Sequence, residues 1–347
     1  MIGVKPSGIG GQAVIEGVMM KNKDVYAVAV RKPNNEIVIE KNVYVSASEK
    51  YRLFKLPIFR GMLAFIESMV IGMKTLTFSA SFYEEEEETK PSKVENAISS
   101  IFKDKTEKVL MGLTILIAVI AAIAIFMVLP FFIANILENK IKSDTILAII
   151  EGIIRIVIFI GYIVLISRMN DIKRVFMYHG AEHKTINCIE HGFELTPENV
   201  KWQSRQHKRC GTSFMLIVMF VSILFFICIR VEAVWLRVVI RLLLVPVIAG
   251  VSYEFIKLAG RSESAIVNIL SKPGMWLQAL TTKEPDEDMI LVAIASVESV
   301  FDWKEYIESN QSELKNTVSE TAAAEEEDEL LKIIESIKEN DSDGDED

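Results

Sequence analysis

The four histidines of the protein, His179, His183, His191 and His207, all lie between Tyr178 and Cys210, so its strong transition-metal ligands fall in one short stretch. Read as a helix, HGAEH puts His179 and His183 one turn apart on a single face, with Glu182 beside them and Glu190 further along the same side. Two imidazoles so placed can grip one metal ion. His207 and Cys210 follow three residues apart, and a site of His179, His183, His207 and Cys210 would hold a divalent metal, zinc by its nitrogen and sulfur donors.

Such a site has two chemistries. Four protein ligands close the coordination shell and make the metal structural. Three histidines leave a position for water, with Glu182 or Glu190 as the base that takes its proton, and Glu182 is the candidate catalytic residue. Glu254 is a more distant candidate ligand. HGAEH also satisfies the string H-x-x-E-H of inverted zinc peptidases, but the large soluble fold that carries that string is not available here. Without metal, His179 and His183 would be polar contacts between a helix and lipid headgroups, and Cys210 a small packed residue before Gly211.

The elements that must position these residues are helices. Gly192 is a stop after Glu190-His191, and Thr196-Pro197 is a restart, with Thr196 as N-cap and Pro197 in the first turn. The stretch 168–212 is therefore expected as a cytosolic helical hairpin whose second arm returns His207 and Cys210 to the first.

That hairpin sits among apolar runs. The chain of 347 residues is half hydrophobic, with a mean hydropathy of +0.30, concentrated in a few long segments, the mark of a membrane protein. Four segments meet the need for about 20 apolar residues: Val109 to Pro130, Ile146 to Ser167, Ser213 to Ile229 and Val234 to Ser252. The first runs on through FFIANIL, so a kink or a break into a surface helix is expected at Pro130. Basic residues gather in the middle loop, from Arg168 to Arg209, so the positive-inside rule places that loop and both termini in the cytoplasm. Glu151 and Arg155 on one span, and Arg237 and Arg241 on another, should face one another as an ion-paired helix contact or line a path. Boundary arginines can also snorkel outward.

The expected fold is thus mainly α: about four transmembrane helices, a small N-terminal β-hairpin region and the cytosolic hairpin. Residues 1–57 read as a soluble β region. GIGGQAVIEGVMM is a turn into a buried strand, and DVYAVAVRKPNNEIVIEKNVYV alternates on both sides of Pro33-Asn34-Asn35 as a hairpin does. A phosphate-cradling loop at the glycines lacks the Walker lysine and the Rossmann spacing. Residues 58–108 hold an apolar helix, read as interfacial or bundle-packed, and an acidic linker. The four spans and the hairpin fill 109–252. Residues 253–310 read as cytosolic amphipathic helices and 311–347 as a disordered acidic tail with a short apolar-striped helix. The net charge of −9, carried largely by Glu84–Glu88 and that tail, argues against nucleic acid as a partner. Three cysteines indicate no disulfide framework, and the first 25 residues lack the pattern of a cleavable signal.

GGQAVIEGVMM, YHGAEHKTI, LTPENV, HKRCGTSF and SKPGMWLQALTTKEPDEDMILVAI resemble the YqhQ-like bacterial membrane proteins. The resemblance covers roughly residues 5 to 300. That family is of unknown function and is often labelled as predicted metal-dependent enzymes. It implies a bacterial inner (plasma) membrane location and a metal site at His179, Glu182, His183, His207 and Cys210.

Two functions are therefore expected. One is a metal-dependent enzyme, a hydrolase acting at the cytosolic membrane surface on a lipid-linked or membrane-protein substrate. The other is a non-enzymatic integral membrane scaffold, an accessory to protein insertion or envelope assembly, in which zinc staples the hairpin.

Overall fold

The structure is a computed structural model and describes residues 6–83, 106–137, 140–207, 209–229, 231, 233–259 and 265–310. The acidic linker at 84–105 and the tail at 311–347 lie outside the described residues.

The N-terminal residues form an antiparallel meander of β1 (Gly10–Val14), β2 (Gly17–Asn22), β3 (Val25–Arg31) and β4 (Ile37–Val43). The β3–β4 register, Arg31 opposite Ile37, closes around the expected Pro33-Asn34-Asn35 turn. Period-two alternation loads both faces of the sheet. Val18, Met20 and Ala29 point into one core and Met19, Val28 and Val30 into another.

Each face has its own cover. Helices α6 (Asn170–Glu190) and α11 (Glu287–Glu298) close the first core, with Leu195 and with Val200 of α7 (Pro197–Lys201). Helix α2 (Phe59–Ala80) closes the second through Ile71 and Phe78. Segments far apart in sequence, residues 9–29, 178–200 and 289–297, thus share one hydrophobic core.

Short α1 (Ala47–Lys50) starts at Ser46, and the buried Glu67 of α2 accepts from the Ser46 hydroxyl at 3.0 Å and the Ala47 N–H at 2.9 Å. That carboxylate serves the start of a helix, where free N–H groups favour negative charge.

Among the described residues, four helical runs are long and apolar enough to cross a membrane: Phe59–Ala80, Val109–Ile136, Thr145–Ile166 and Trp235–Leu258. The set differs from the expected one. Gly211–Ile227 (α8) is apolar but has only 17 residues, while α2 qualifies by length and composition. The long run does not break into a surface helix at Pro130. Helix α3 (Thr106–Ile123) passes through a π turn at Ala124–Val128 into α4 (Leu129–Ile136). The wider turn absorbs the clash between the proline ring and the preceding turn.

Helix α8 packs against α5 (Asp144–Ile166), α9 (Val234–Ala259) and α10 (Ala265–Thr281). Leu277 of α10 is fully buried among Phe159, Ile163, Leu216 and Met219, whereas its neighbour Trp276 faces outward. Deep between α5, α8 and α9, Glu151 accepts from Arg155 at 2.9 Å and from Arg241 at 2.7 Å, and Arg155 also donates to Ser222 at 2.9 Å. Both guanidinium groups stack on Phe226. Arg237 turns back to the carbonyl of Val231, so the expected face-to-face pairing holds for Arg241 and not for its neighbour.

Candidate metal centre

His179 and His183 lie on α6, one turn apart as their spacing predicts, with ring centroids separated by 4.4 Å. The helix ends at Gly192, whose φ of +77° suits a residue without a Cβ. Thr196 then caps α7 by accepting from the Asn199 N–H. The expected second helical arm stops there. Helix α7 has five residues, and the chain from Trp202 onward returns as an irregular segment.

The return segment is held by side chains in place of a backbone ladder. Lys184 donates to the Lys201 carbonyl at 2.7 Å, and Asn187 donates to the carbonyls of Ser204 at 2.6 Å and Gln206 at 3.0 Å. His183 Nδ1 meets the Arg205 carbonyl at 2.6 Å. Gln278 of α10 clasps His207 from the other side, accepting from its N–H at 2.8 Å and donating to its carbonyl at 2.7 Å. Cys210, buried at the N-cap of α8, then faces the histidines, and the Thr212 N–H donates to its sulfur.

Among the described residues, His179, His183 and Cys210 bring one ligand atom each within 4.8 Å of one another. His179 Nε2 lies 3.2 Å from Cys210 Sγ, and its Nδ1 lies 2.9 Å from the Thr281 carbonyl. A carbonyl only accepts, so each Nδ1 carries the ring proton and each Nε2 turns its lone pair toward Cys210. Such hydrogen bonds orient metal-bound imidazoles. Zinc bonds of about 2.3 Å to sulfur and about 2.0 Å to nitrogen would set tetrahedral donors roughly 3.5 Å apart, a spacing this trio reaches with small side-chain adjustments. Burial lowers the basicity of His183 and favours the neutral imidazole that metal binding needs. The residues fit a divalent ion.

His207 lies outside the trio. Its ring centroid is 5.8 Å from that of His183, and its Nε2 is 3.2 Å from a Glu190 oxygen. Glu190 also accepts from Arg209 and from the N–H and hydroxyl of Ser7, at 2.8 and 2.7 Å. Burial acts to raise the Glu190 carboxyl, but His207, Arg209 and Ser7 outweigh it and hold it down at about 2. A carboxylate so committed is a poor base. Glu254 is taken by Arg60, and His191 bonds to Gln203.

Glu182 is the opposite case. It is buried, and among the described residues its Oε2 has no hydrogen-bond partner. Burial pushes its carboxyl up to about 7, against a smaller opposite pull from His179. Strand β1 passes directly over it at Gly11, where a Cβ would fall 2.8 Å from the Glu182 side chain. His179, Glu182, His183, His207 and Cys210 line a cavity of about 300 Å³ roofed by Gly10–Ala13.

Residue types at local spacing did not point to Gln278 and Thr281. The available signal was a set of buried polar residues, Gln278 and Thr281 in the apolar α10 and Thr282 directly after it.

The model of the family described as "Protein of unknown function (DUF1385)" matches residues 56–303, which include the trio, Glu182 and Gln278. The chain is 35% identical over 322 residues to "Uncharacterized protein YqhQ" of Bacillus subtilis (strain 168), covering 90% of this chain and 98% of that relative. No solved structure matches. A family model spanning well over half the chain, together with a relative matched almost end to end, places this protein in the DUF1385 family.

Proposed function

We propose that this chain is a multi-pass protein of the bacterial inner membrane and a metal-dependent hydrolase, acting at the cytosolic membrane surface. His179, His183 and Cys210 would hold a divalent ion, zinc by the softness of a thiolate and two imidazoles. The observation that carries the reading is the fixing of both Nδ1 atoms on main-chain carbonyls, of Thr281 and Arg205, which leaves two lone pairs and a sulfur facing one another. Three protein donors are the number that leaves a coordination position open.

Zinc bound there would supply Lewis acidity toward a polarised carbonyl or phosphoryl group. Glu182 takes and returns the proton: burial brings its carboxyl up to about 7, and among the described residues no hydrogen bond commits its Oε2 elsewhere. Gly11 and β1 exclude bulk solvent from that carboxyl, and Thr281 keeps His179 in register.

A closed structural site in a scaffold is the second reading, favoured by the nearness of the His207 ring to His183. Elemental analysis of detergent-purified protein tests both. About one zinc per chain is expected, lost in His183→Ala and Cys210→Ser and kept in Glu182→Gln and His207→Ala. Loss of zinc in His207→Ala, with the return segment unfolded, would favour the scaffold. Absence of any metal in the unaltered protein sinks both.

A further inference from the structure

A second cavity, of about 540 Å³, lies between α2 and the adjoining parts of α8 and α9. Its walls include Phe65, Met69, Met73, Leu76, Phe214 and Met215. Polar groups gather where Gln12, Arg209, Cys210 and Gly211 line this cavity and the metal-ligand cavity alike. An apolar groove therefore opens onto the proposed ligand Cys210.

The placement of α2 shows what the groove faces. The helix is tied to the N-terminal domain at three points: Glu67 to Ser46 and Ala47, Gly72 against the Gln12 side chain, and Ser79 to the Ile15 N–H at 3.2 Å. At about 1.5 Å per residue these ties span most of its second half, so the helix cannot leave the sheet to cross a bilayer. Ile66, Met69, Val70, Met73 and Leu76 recur at helical spacing and are each at least 37% exposed. Such a stripe sinks about 5–10 Å into the boundary between headgroups and acyl chains. The groove then lies at the depth where a lipid's chain begins and its head ends.

We propose that this groove takes one hydrocarbon chain of a membrane lipid and that the lipid's polar head enters the cavity of His179, Glu182 and Cys210 as the substrate. This rests on the hydrolase reading above and assigns its substrate class. Polarity favours a hydrocarbon chain over an extended polypeptide. An extended peptide would bring N–H and C=O groups against methionine, leucine and phenylalanine side chains that cannot satisfy them. A hydrocarbon chain needs no such partners, and flexible methionines adapt to its shape.

The test uses full-length protein in vesicles of phosphatidylethanolamine and phosphatidylglycerol, with a trace of phosphatidylglycerol carrying a mid-chain diazirine. After irradiation, adducts are mapped by mass spectrometry. Labelling concentrated on Met69, Met73 and Met215, well above that on the outward-facing Leu243, is the expected result. Ala64→Trp and Ser68→Phe, which fill the groove, should each lower that labelling several-fold and leave Leu243 unchanged. If Ala64→Trp does not fold, Ser68→Phe decides. Groove labelling no denser than at Leu243, labelling indifferent to the filling, or a polypeptide found crosslinked in the groove would overturn the proposal. Zinc is measured on the same samples. Zinc retained with an unlabelled groove refutes the lipid assignment alone, and a labelled groove in zinc-free protein refutes the metal reading alone.

Discussion

The Cβ that Gly11 lacks would lie 2.8 Å from the Glu182 carboxyl group, so a strand near the N-terminus closes over the candidate catalytic carboxylate of the metal-ligand cavity. A methyl group there must displace the carboxyl or lift β1. Gly11→Ala should cost about 1–3 kcal/mol, the range for overpacking. Most of that cost should vanish in a Glu182→Ala background, since the two residues are in contact. Thermal unfolding of the four proteins in one detergent gives the coupling; additive losses would mean that the strand yields elsewhere.

Glu190 makes stability depend on pH in a known direction. Its folded carboxyl sits at about 2, below the ordinary 4.5, so it contributes stability above pH 4.5 that is lost as pH falls toward 2. The shift corresponds to about 3 kcal/mol. Glu190→Gln should be less stable than the unaltered protein at pH 7 by about that amount, and the two curves should converge near pH 2. Denaturant midpoints across pH 2.5–7 check this, and parallel curves would refute it.

Gln278 stands in for a strand partner of His207. Gln278→Ala orphans a buried N–H and C=O and should cost about 1–3 kcal/mol. Hydrogen exchange at residues 204–209 should quicken, with exchange in the β-sheet unaltered. Equal acceleration in both would show that Gln278 supports the whole domain and not the return segment.

The Glu151 carboxylate is the shared partner of two buried guanidinium groups, Arg155 and Arg241. Glu151→Leu leaves Arg155 and Arg241 without a counter-charge and should destabilise by about 3–5 kcal/mol, as breaking buried ion pairs does. Replacing all three with leucine or methionine should restore most of the loss. Unfolding in detergent micelles provides the comparison, and a triple variant as unstable as the single one would contradict it.

Local periodicities carried much of the architecture. The β3–β4 hairpin, the helix from Asn170 to Glu190 and the turn at Gly192 follow from contacts within a few residues of one another, which a sequence pattern records. Helix α2 was legible as apolar and helical, but its ties to Gln12 and Ile15 join segments more than 50 residues apart, and no period encodes them. The return segment defeated the expectation of a second helical arm because its carbonyls are satisfied by Lys184, His183 and Asn187, side chains of another element.

By itself the sequence determined that His179, Glu182 and His183 share one side of a helix, since spacing along an α-helix sets which side chains are neighbours. Tertiary structure alone decided which groups complete the trio and what the two carboxylates do. Cys210 joins the histidines and His207 turns to Glu190 because Gln278 and Thr281, some 70 to 100 residues further on, fix the backbone and the rings. Burial pushes the Glu182 carboxyl up to about 7, with no partner for its Oε2 among the described residues, whereas His207, Arg209 and Ser7 hold Glu190 down, a difference of surroundings that identical residue types cannot express.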